Sequence, residues 1–269
     1  LWLSQLVSLT GSQMQAAAID WHVYLLTHSP LALGLVGLSR VVPIATLSLW
    51  GGVAADRYDR RRIMLATQLT MAVVAATLAF LTLTGRETRW LLYVLTGLTS
   101  AAGSFDNPAR QSLVPRLVPR EVLPGALAMN LTMFHAGMIL GPAVAGGFIA
   151  AAGEGTRGLA AIYLVNALSF LGVLFTLLTM KASGAVEGGD QARAHPWAQL
   201  REGLRFVFST PIMVWTMTLD FVATFFSGAT SLLPIFADQV LKVGAFGFGW
   251  LRAAPAMGAL VGSLYTSLR

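Results

Sequence analysis

Asp220 stands in an apolar run, residues 211–237, with Thr216, Thr224, Ser227 and Ser231 spaced from it at threes and fours. That spacing draws one polar stripe down an otherwise apolar helix. A carboxylate within hydrocarbon is costly and defaults to a functional role. Counted from Pro211 at 1.5 Å per residue, it lies about 14 Å along the helix, near a bilayer midplane. Facing a wet cavity, it could hold a cationic group or take up a proton, because burial favours the neutral acid. Hydrogen bonding to a neighbouring helix is the alternative.

Asp20 and Arg40 are the next pair. Each lies roughly 9–10 Å inside its span, and a short turn joins the two spans. They could pair and so lower the cost of burying either charge. A fixed structural pair, or an arginine reaching outward to water, is the other reading. Ser4, Ser8, Ser12, Gln15 and His22 repeat at near-helical spacing before the turn, as do Thr96, Ser100, Gly103 and Asn107 further on. Asn130 and His135 are further binding candidates, although a lone histidine is commonly a hydrogen-bonded core residue. Gly137, Gly141, Gly146 and Gly147 permit close helix contact, and Pro142 among them bends its helix, giving either a hinge or a static seam.

The elements that position these groups follow from composition. The chain is 55% hydrophobic and 11% charged, with mean hydropathy +0.68; soluble domains run near about 25% charged. This is a polytopic all-α membrane bundle. The net charge of +6 is spread through loops between apolar runs, which argues against a nucleic-acid partner. There is no cysteine, so disulfides and thiolate chemistry are excluded. No zinc-ligand spacing, phosphate-binding loop or nucleophile with an adjacent base is visible. No metal, cofactor or enzyme activity is therefore expected. Leu1 already lies in an apolar run without a preceding signal pattern, so a missing N-terminus is expected.

A yardstick of about 20 apolar residues per crossing gives eight spans, near 1–26, 34–54, 63–84, 90–107, 122–152, 158–180, 211–237 and 246–268. Spans three and six carry no charge and read as facing lipid or buried in the bundle. With the first span running outward, twelve Lys and Arg fall on the cytoplasmic side and four (Arg86, Arg89, Arg157, Lys242) outside. Short loops rich in Lys and Arg stay in the cytoplasm, which sets the orientation. Residues 181–195 read as a flexible linker. Pro196 then opens an amphipathic interfacial helix, with Trp197, Leu200, Leu204 and Val207 on its apolar face. The expected division is 1–180, a six-helix half; 181–210, a cytoplasmic linker; and 211–269, two spans of a second half.

One internal repeat is visible. Gly37, Arg40 and Pro43 match Gly249, Arg252 and Pro255 at an offset of 212 residues, each set near the outer start of its span. It equates span eight with span two and favours a structural duty for both arginines.

The loop Gly52-x-x-x-Asp56-Arg57-x-x-Arg60-Arg61 resembles the signature between spans two and three of the major facilitator superfamily. Gly137 to Gly147, with Gly141-Pro142, is similar to the antiporter signature of that superfamily, with Ala145 where a glycine is usual. Gln13 to Leu38, and Phe105 to Gln111 through Asn130, look like its enterobactin-exporter branch, in which Asp59 commonly replaces the loop glycine. Span four has Val94, Leu95 and Thr96 where the drug–proton antiporters carry an arginine, which argues against arginine-assisted coupling there. The resemblance implies a major facilitator fold in a bacterial inner membrane, with spans one, four and seven lining a central cavity. It implies an alternating-access exporter of small amphipathic molecules, driven by protons and acting as a monomer, of which this chain stops four spans early. Asp56, Arg60 and Asp106 would form a cluster holding the cytoplasmic side closed; Arg61 and Arg62 would only anchor the loop. Transport of a lysophospholipid, or a lipid-modifying enzyme built on converging Asp20, Asp106 and Asp220, are the rival readings.

Overall fold

The computed structural model describes residues 2–153, 155–180, 201, 205–227 and 229–267. The linker and the helix expected from Pro196 therefore lie largely outside the described residues. Eight long helices are present among them: α1 (Trp2–Thr27), α2 (Pro30–Arg57), α3 (Arg60–Thr84), α4 (Arg89–Leu117), α5 (Leu123–Ala151), α6 (Arg157–Thr179), α7 (Pro211–Ser227) and α8 (Gly244–Ser267). Four of these, α2, α3, α5 and α6, are long and apolar enough to cross a membrane.

The helix ends follow from local chemistry. The Ser29 hydroxyl accepts from Ala32 N, and Pro30 opens α2 where its missing N–H costs nothing. The Asp59 carboxylate accepts from Arg61 N (2.8 Å) and Arg62 N (3.3 Å). The aspartate that departs from the general loop pattern is thus the N-cap of α3. Gly85 ends α3 at φ 63°, a conformation that favours glycine. Arg61 donates from Nε to Leu177 O (2.8 Å) and from Nη2 to Leu178 O (3.0 Å). It caps the carbonyl end of α6, where a cation also suits the helix dipole; its duty is more specific than anchoring the loop.

Two helices differ from expectation. α4 runs about three turns past the end expected near Asn107, through Pro108 and Pro115. A proline removes one N–H, so the carbonyl four residues earlier loses its donor. That carbonyl, Ser104 O, is where Gly51 of α2 packs: a Cβ there would collide with it. The arrangement recurs in reverse, because Pro43 of α2 removes the donor from Ser39 O, which faces Gly97 of α4 at 3.5 Å from a built Cβ. Two glycine–carbonyl contacts thus bind α2 to α4. Gly51 is the close-approach residue, whereas Gly52 faces open space.

The second difference is in the seventh span. It is not one helix over 211–237: beyond Ser227 follow a 3-10 turn (Ala229–Leu232), a single α-turn (Leu233–Ile235) and a π-helical turn (Phe236–Val240). Pro234, buried in this stretch, cannot donate to a regular ladder.

α1 is the centre of the bundle. It packs against α5 and α6, while α2 packs on α4, α3 on α4 and α6, and α8 on α5. The largest apolar core surrounds the end of α1 remote from the arginine-rich loop, with Met14, Trp21, Tyr24, Leu33, Tyr163 and Phe248 buried in it. A smaller core of Ala55, Met64, Ala109, Leu113, Val173 and Leu177 sits at the arginine-rich end. Large apolar side chains on the outside, such as Leu38, Val41, Ile44 and Trp50 of α2, are exposed, as helices bathed in lipid require.

Candidate functional site

A cavity of about 560 Å³ opens toward the arginine-rich end, between α1, α3, α4 and α5. Gln5, Ser8, Ser12 and Gln13 enter it from α1, and Asn130, Met133 and Phe134 from α5. α4 adds Thr99, Gly103, Asp106, Asn107 and Arg110. Two side-chain atoms on its wall, Gln5 Nε2 and Gln68 Oε1, are buried with no hydrogen-bond partner. A donor and an acceptor are thus left for an occupant.

Asp106 is buried and held from three directions. It accepts from Thr67 Oγ1 (2.9 Å) and Gln68 Nε2 (3.0 Å), and Arg110 Nη2 lies 3.5 Å away. Arg110 in turn donates to Gln5 Oε1 (2.9 Å) and Asn107 Oδ1 (2.5 Å). This network is not the cluster expected from the loop signature. Asp56 and Arg57 are exposed, and Arg60 is buried with Nε and Nη1 unpartnered. Asp106 thus takes its cation from one turn further along its own helix rather than from Arg60.

The polar stripe of α1 divides between two neighbours. Gln5, Ser8 and Ser12 face the cavity. Ser4, Gln15 and His22, turned slightly around the helix, meet α6: Thr176 Oγ1 to Ser4 Oγ (3.3 Å), Asn166 Nδ2 to Gln15 Oε1 (2.8 Å), and His22 Nδ1 with Tyr163 Oη (3.1 Å). Gln15 is therefore part of a buried ladder, not of the cavity wall. The sixth span, which reads as uniformly apolar, buries Asn166 completely.

At the opposite end, Asp20 is 3% exposed and receives two arginines. Arg40 Nη2 donates to Oδ1 at 2.8 Å and also to Ala16 O at 2.9 Å. Arg252 Nη1 of α8 donates to Oδ2. The two repeat-related arginines thus converge on one carboxylate. Further contacts close this end: Tyr24 donates to Asp238 Oδ2 (2.5 Å) in the π-helical turn, and the rings of Trp21 and Phe248 lie 5.4 Å apart.

The glycines of α5 serve both sides of the helix. A Cβ at Gly137 would meet Leu9 Cγ at 2.9 Å, and one at Gly141 would meet Thr10 O at 2.9 Å, both on α1. On the other side, a Cβ at Gly146 would meet Ala245 O at 2.7 Å, and one at Gly249 would meet Pro142 O at 2.5 Å. α5 is a sandwich filling between α1 and α8. Gly147 faces open space.

The remaining candidates are not brought together. Asp220 is exposed on α7, as is Thr216, whose hydroxyl donates to Ile212 O at 2.5 Å. The side chain of Thr224 lies outside the described residues. His135 lies beside Phe134 with Nδ1 unpartnered and does not line the cavity. Applied to α7, the 212-residue offset sets Thr216, Asp220 and Thr224 against Ser4, Ser8 and Ser12. Asp220 thus matches a cavity-wall position of α1. Sequence reasoning missed Gln5, Gln68, Asn166, Tyr163 and Asp238 as partners; only the polar atoms within apolar runs could have flagged them.

An all-helical membrane bundle with paired, repeat-related arginines and a polar cavity on its central helix defines a major facilitator protein. The whole chain, residues 1–269, matches the family described as "Transmembrane secretion effector", and it belongs to that family. Two curated relatives are Enterobactin exporter EntS of Shigella boydii serotype 18 and of Escherichia coli O1:K1 / APEC. Each is 28% identical to this chain over 265 residues, 98% of it and 61% of the relative. The chain thus spans about three-fifths of the length of the curated relatives it matches.

Proposed function

We propose that this chain carries the first six-span half and part of the second half of a proton-driven exporter of small amphipathic molecules, in the inner membrane of a bacterium. It works by alternating access. The observation carrying this reading is the division of α1: Asp20 joins α1 to α8 at one end, while a polar cavity opens at the other. Ser8 and Asp20 are separated by about 18 Å of helix at 1.5 Å per residue, so one end is latched while the other is accessible. The arginine count puts the cavity on the cytoplasmic side, as loading for export requires. Acids within transporter spans also bind protons, and two are candidates for that role: Asp20, buried at the latch, and Asp220, exposed on α7 at the position matching Ser8. Similarity to exporters of a siderophore supports a substrate that the cavity's amide, hydroxyl and aromatic wall would suit. Asp20 and Asp106 belong to separate networks at opposite ends, which leaves the lipid-modifying reading without a converging acid cluster.

The test is efflux from vesicles carrying the full-length protein, with and without a proton gradient, for wild type, Asp20→Asn and Asp220→Asn. Gradient-dependent efflux that is lost in either variant supports the reading. Efflux that ignores both the gradient and the substitutions overturns it.

A further inference from the structure

We propose that His22 and Glu87 form a buried proton-binding pair, separate from the Asp20 latch, which loads from the face opposite the arginine-rich loop. It rests on the proton-coupled reading above and gives that proton a place to bind.

His22 on α1 is completely buried. Its Nδ1 is engaged by Tyr163 Oη at 3.1 Å, but Nε2 has no hydrogen-bond partner. Facing Nε2 at 3.8 Å is Glu87 Oε1, and the second oxygen of that carboxylate, Oε2, is also buried without a partner. Buried polar atoms are nearly always satisfied, so an acid and a base left open toward each other call for an occupant. A bridging water does not fit: two hydrogen bonds of about 2.8 Å meeting at a water hold the outer atoms about 4.5 Å apart. A shift of about 1 Å, within reach of a small rotamer change, closes the gap to a direct hydrogen bond. A proton is what the gap accepts.

The chemistry balances with water alone. Hydronium at the membrane face gives its proton to Nε2 and leaves as water, turning neutral imidazole beside carboxylate into an ion pair. A second proton, on the carboxylate, would leave the pair with a net positive charge. Glu87 lies in the short loop between α3 and α4, beside exposed Arg86 and Thr88, and its side chain is 9% exposed. The entry is thus from that face.

Charged and titratable groups surround the pair from each side. Its own helix carries Asp20, already bound by Arg40 from α2 and Arg252 from α8. α6 contributes Tyr163, whose hydroxyl lies within electrostatic reach of Asp20, Glu87 and Arg40. A charge gained at His22 is therefore felt at the latch through one intervening side chain, in a medium where screening is weak.

Infrared difference spectra of the purified full-length protein, between about pH 5 and pH 8 where imidazole titrates, test the pair. The expected result is a coupled imidazole and carboxyl signal that is lost in His22→Gln and Glu87→Gln and persists in Asp20→Asn. Glu87→Asp, which keeps a carboxyl on a shorter arm, should shift the signal, and Tyr163→Phe should move its midpoint. Spectra of His22→Gln and Glu87→Gln that superimpose on wild type overturn the proposal, as does loss of the signal in Asp20→Asn. Efflux indifferent to the gradient in wild type would defeat the coupled-transport reading alone, because the titration is read without transport.

Discussion

Arg252 of α8 and Asp20 of α1 are 232 residues apart and share an ion pair at the end of the bundle remote from the arginine-rich loop. Arg40 holds the other carboxylate oxygen at 2.8 Å, so one negative charge answers two positive ones. A buried charge stripped of its partner is expensive, about 3–5 kcal/mol. We expect Asp20→Asn, which strands two guanidiniums, to lower the thermal midpoint more than Arg252→Gln, which leaves a balanced Asp20–Arg40 pair. Thermal unfolding in detergent measures both; equal losses would mean that the second arginine does not draw on this carboxylate.

Arg252→Gln should nonetheless release α8 from α1. Cysteines introduced at His28 and Lys242, at the latched end, should then label faster from that face than in the otherwise unchanged protein. Unchanged labelling would show that Tyr24–Asp238 and Trp21–Phe248 hold that end without the ion pair.

The two glycines before the loop should behave differently. Gly51→Ala drives a Cβ into the Ser104 carbonyl, while Gly52→Ala meets nothing within 4 Å. Overpacking against backbone costs about 1–3 kcal/mol, so Gly51→Ala should lower folded yield and thermal midpoint, and Gly52→Ala should be near neutral. Comparable midpoints for the two would refute the close approach of α2 and α4.

Gln15 and Gln5 separate stability from binding. Gln15→Leu leaves the buried Asn166 amide without its acceptor, at a cost of about 1–3 kcal/mol, and should spare ligand affinity. Gln5→Leu removes a cavity-wall donor and the acceptor of Arg110, and should weaken ligand binding instead. Calorimetric binding and unfolding of both variants decide the matter; reversed effects would exchange their roles.

Asp106→Asn replaces an acceptor by a group carrying an N–H, against the donors Thr67 and Gln68. Its network ties α3 to α4 at the cavity mouth, so we expect a changed balance between inward and outward accessibility in cysteine labelling. No change would reduce Asp106 to a packing residue.

Much of this architecture was legible one residue at a time. Apolar runs of bilayer length gave the helices, because lipid leaves no other way to satisfy the backbone. The Arg40–Arg252 repeat pointed to a structural duty for both, and the Gly137–Gly146 spacing to close packing. The partners were not legible. Ser4, Gln15 and His22 lie on nearly the same stripe as Ser8 and Ser12, and a small rotation about the helix axis decides which of them meets α6 and which meets the cavity. Asp106 had one arginine candidate, Arg60, at the start of α3 and another, Arg110, one turn along its own helix, and spacing alone does not choose between them.

Sequence by itself determined what most segments must be: apolar helices, the arginine-rich turn and the helix-breaking prolines. These are local properties, fixed by the hydrogen-bonding needs of a backbone in hydrocarbon and by the solvation of guanidinium groups. Tertiary structure alone decided which distant atoms meet, as in Gly51 on the Ser104 carbonyl, Asn166 on Gln15, and both arginines on Asp20. Those contacts depend on the rotation and crossing of whole helices, to which every residue along them contributes.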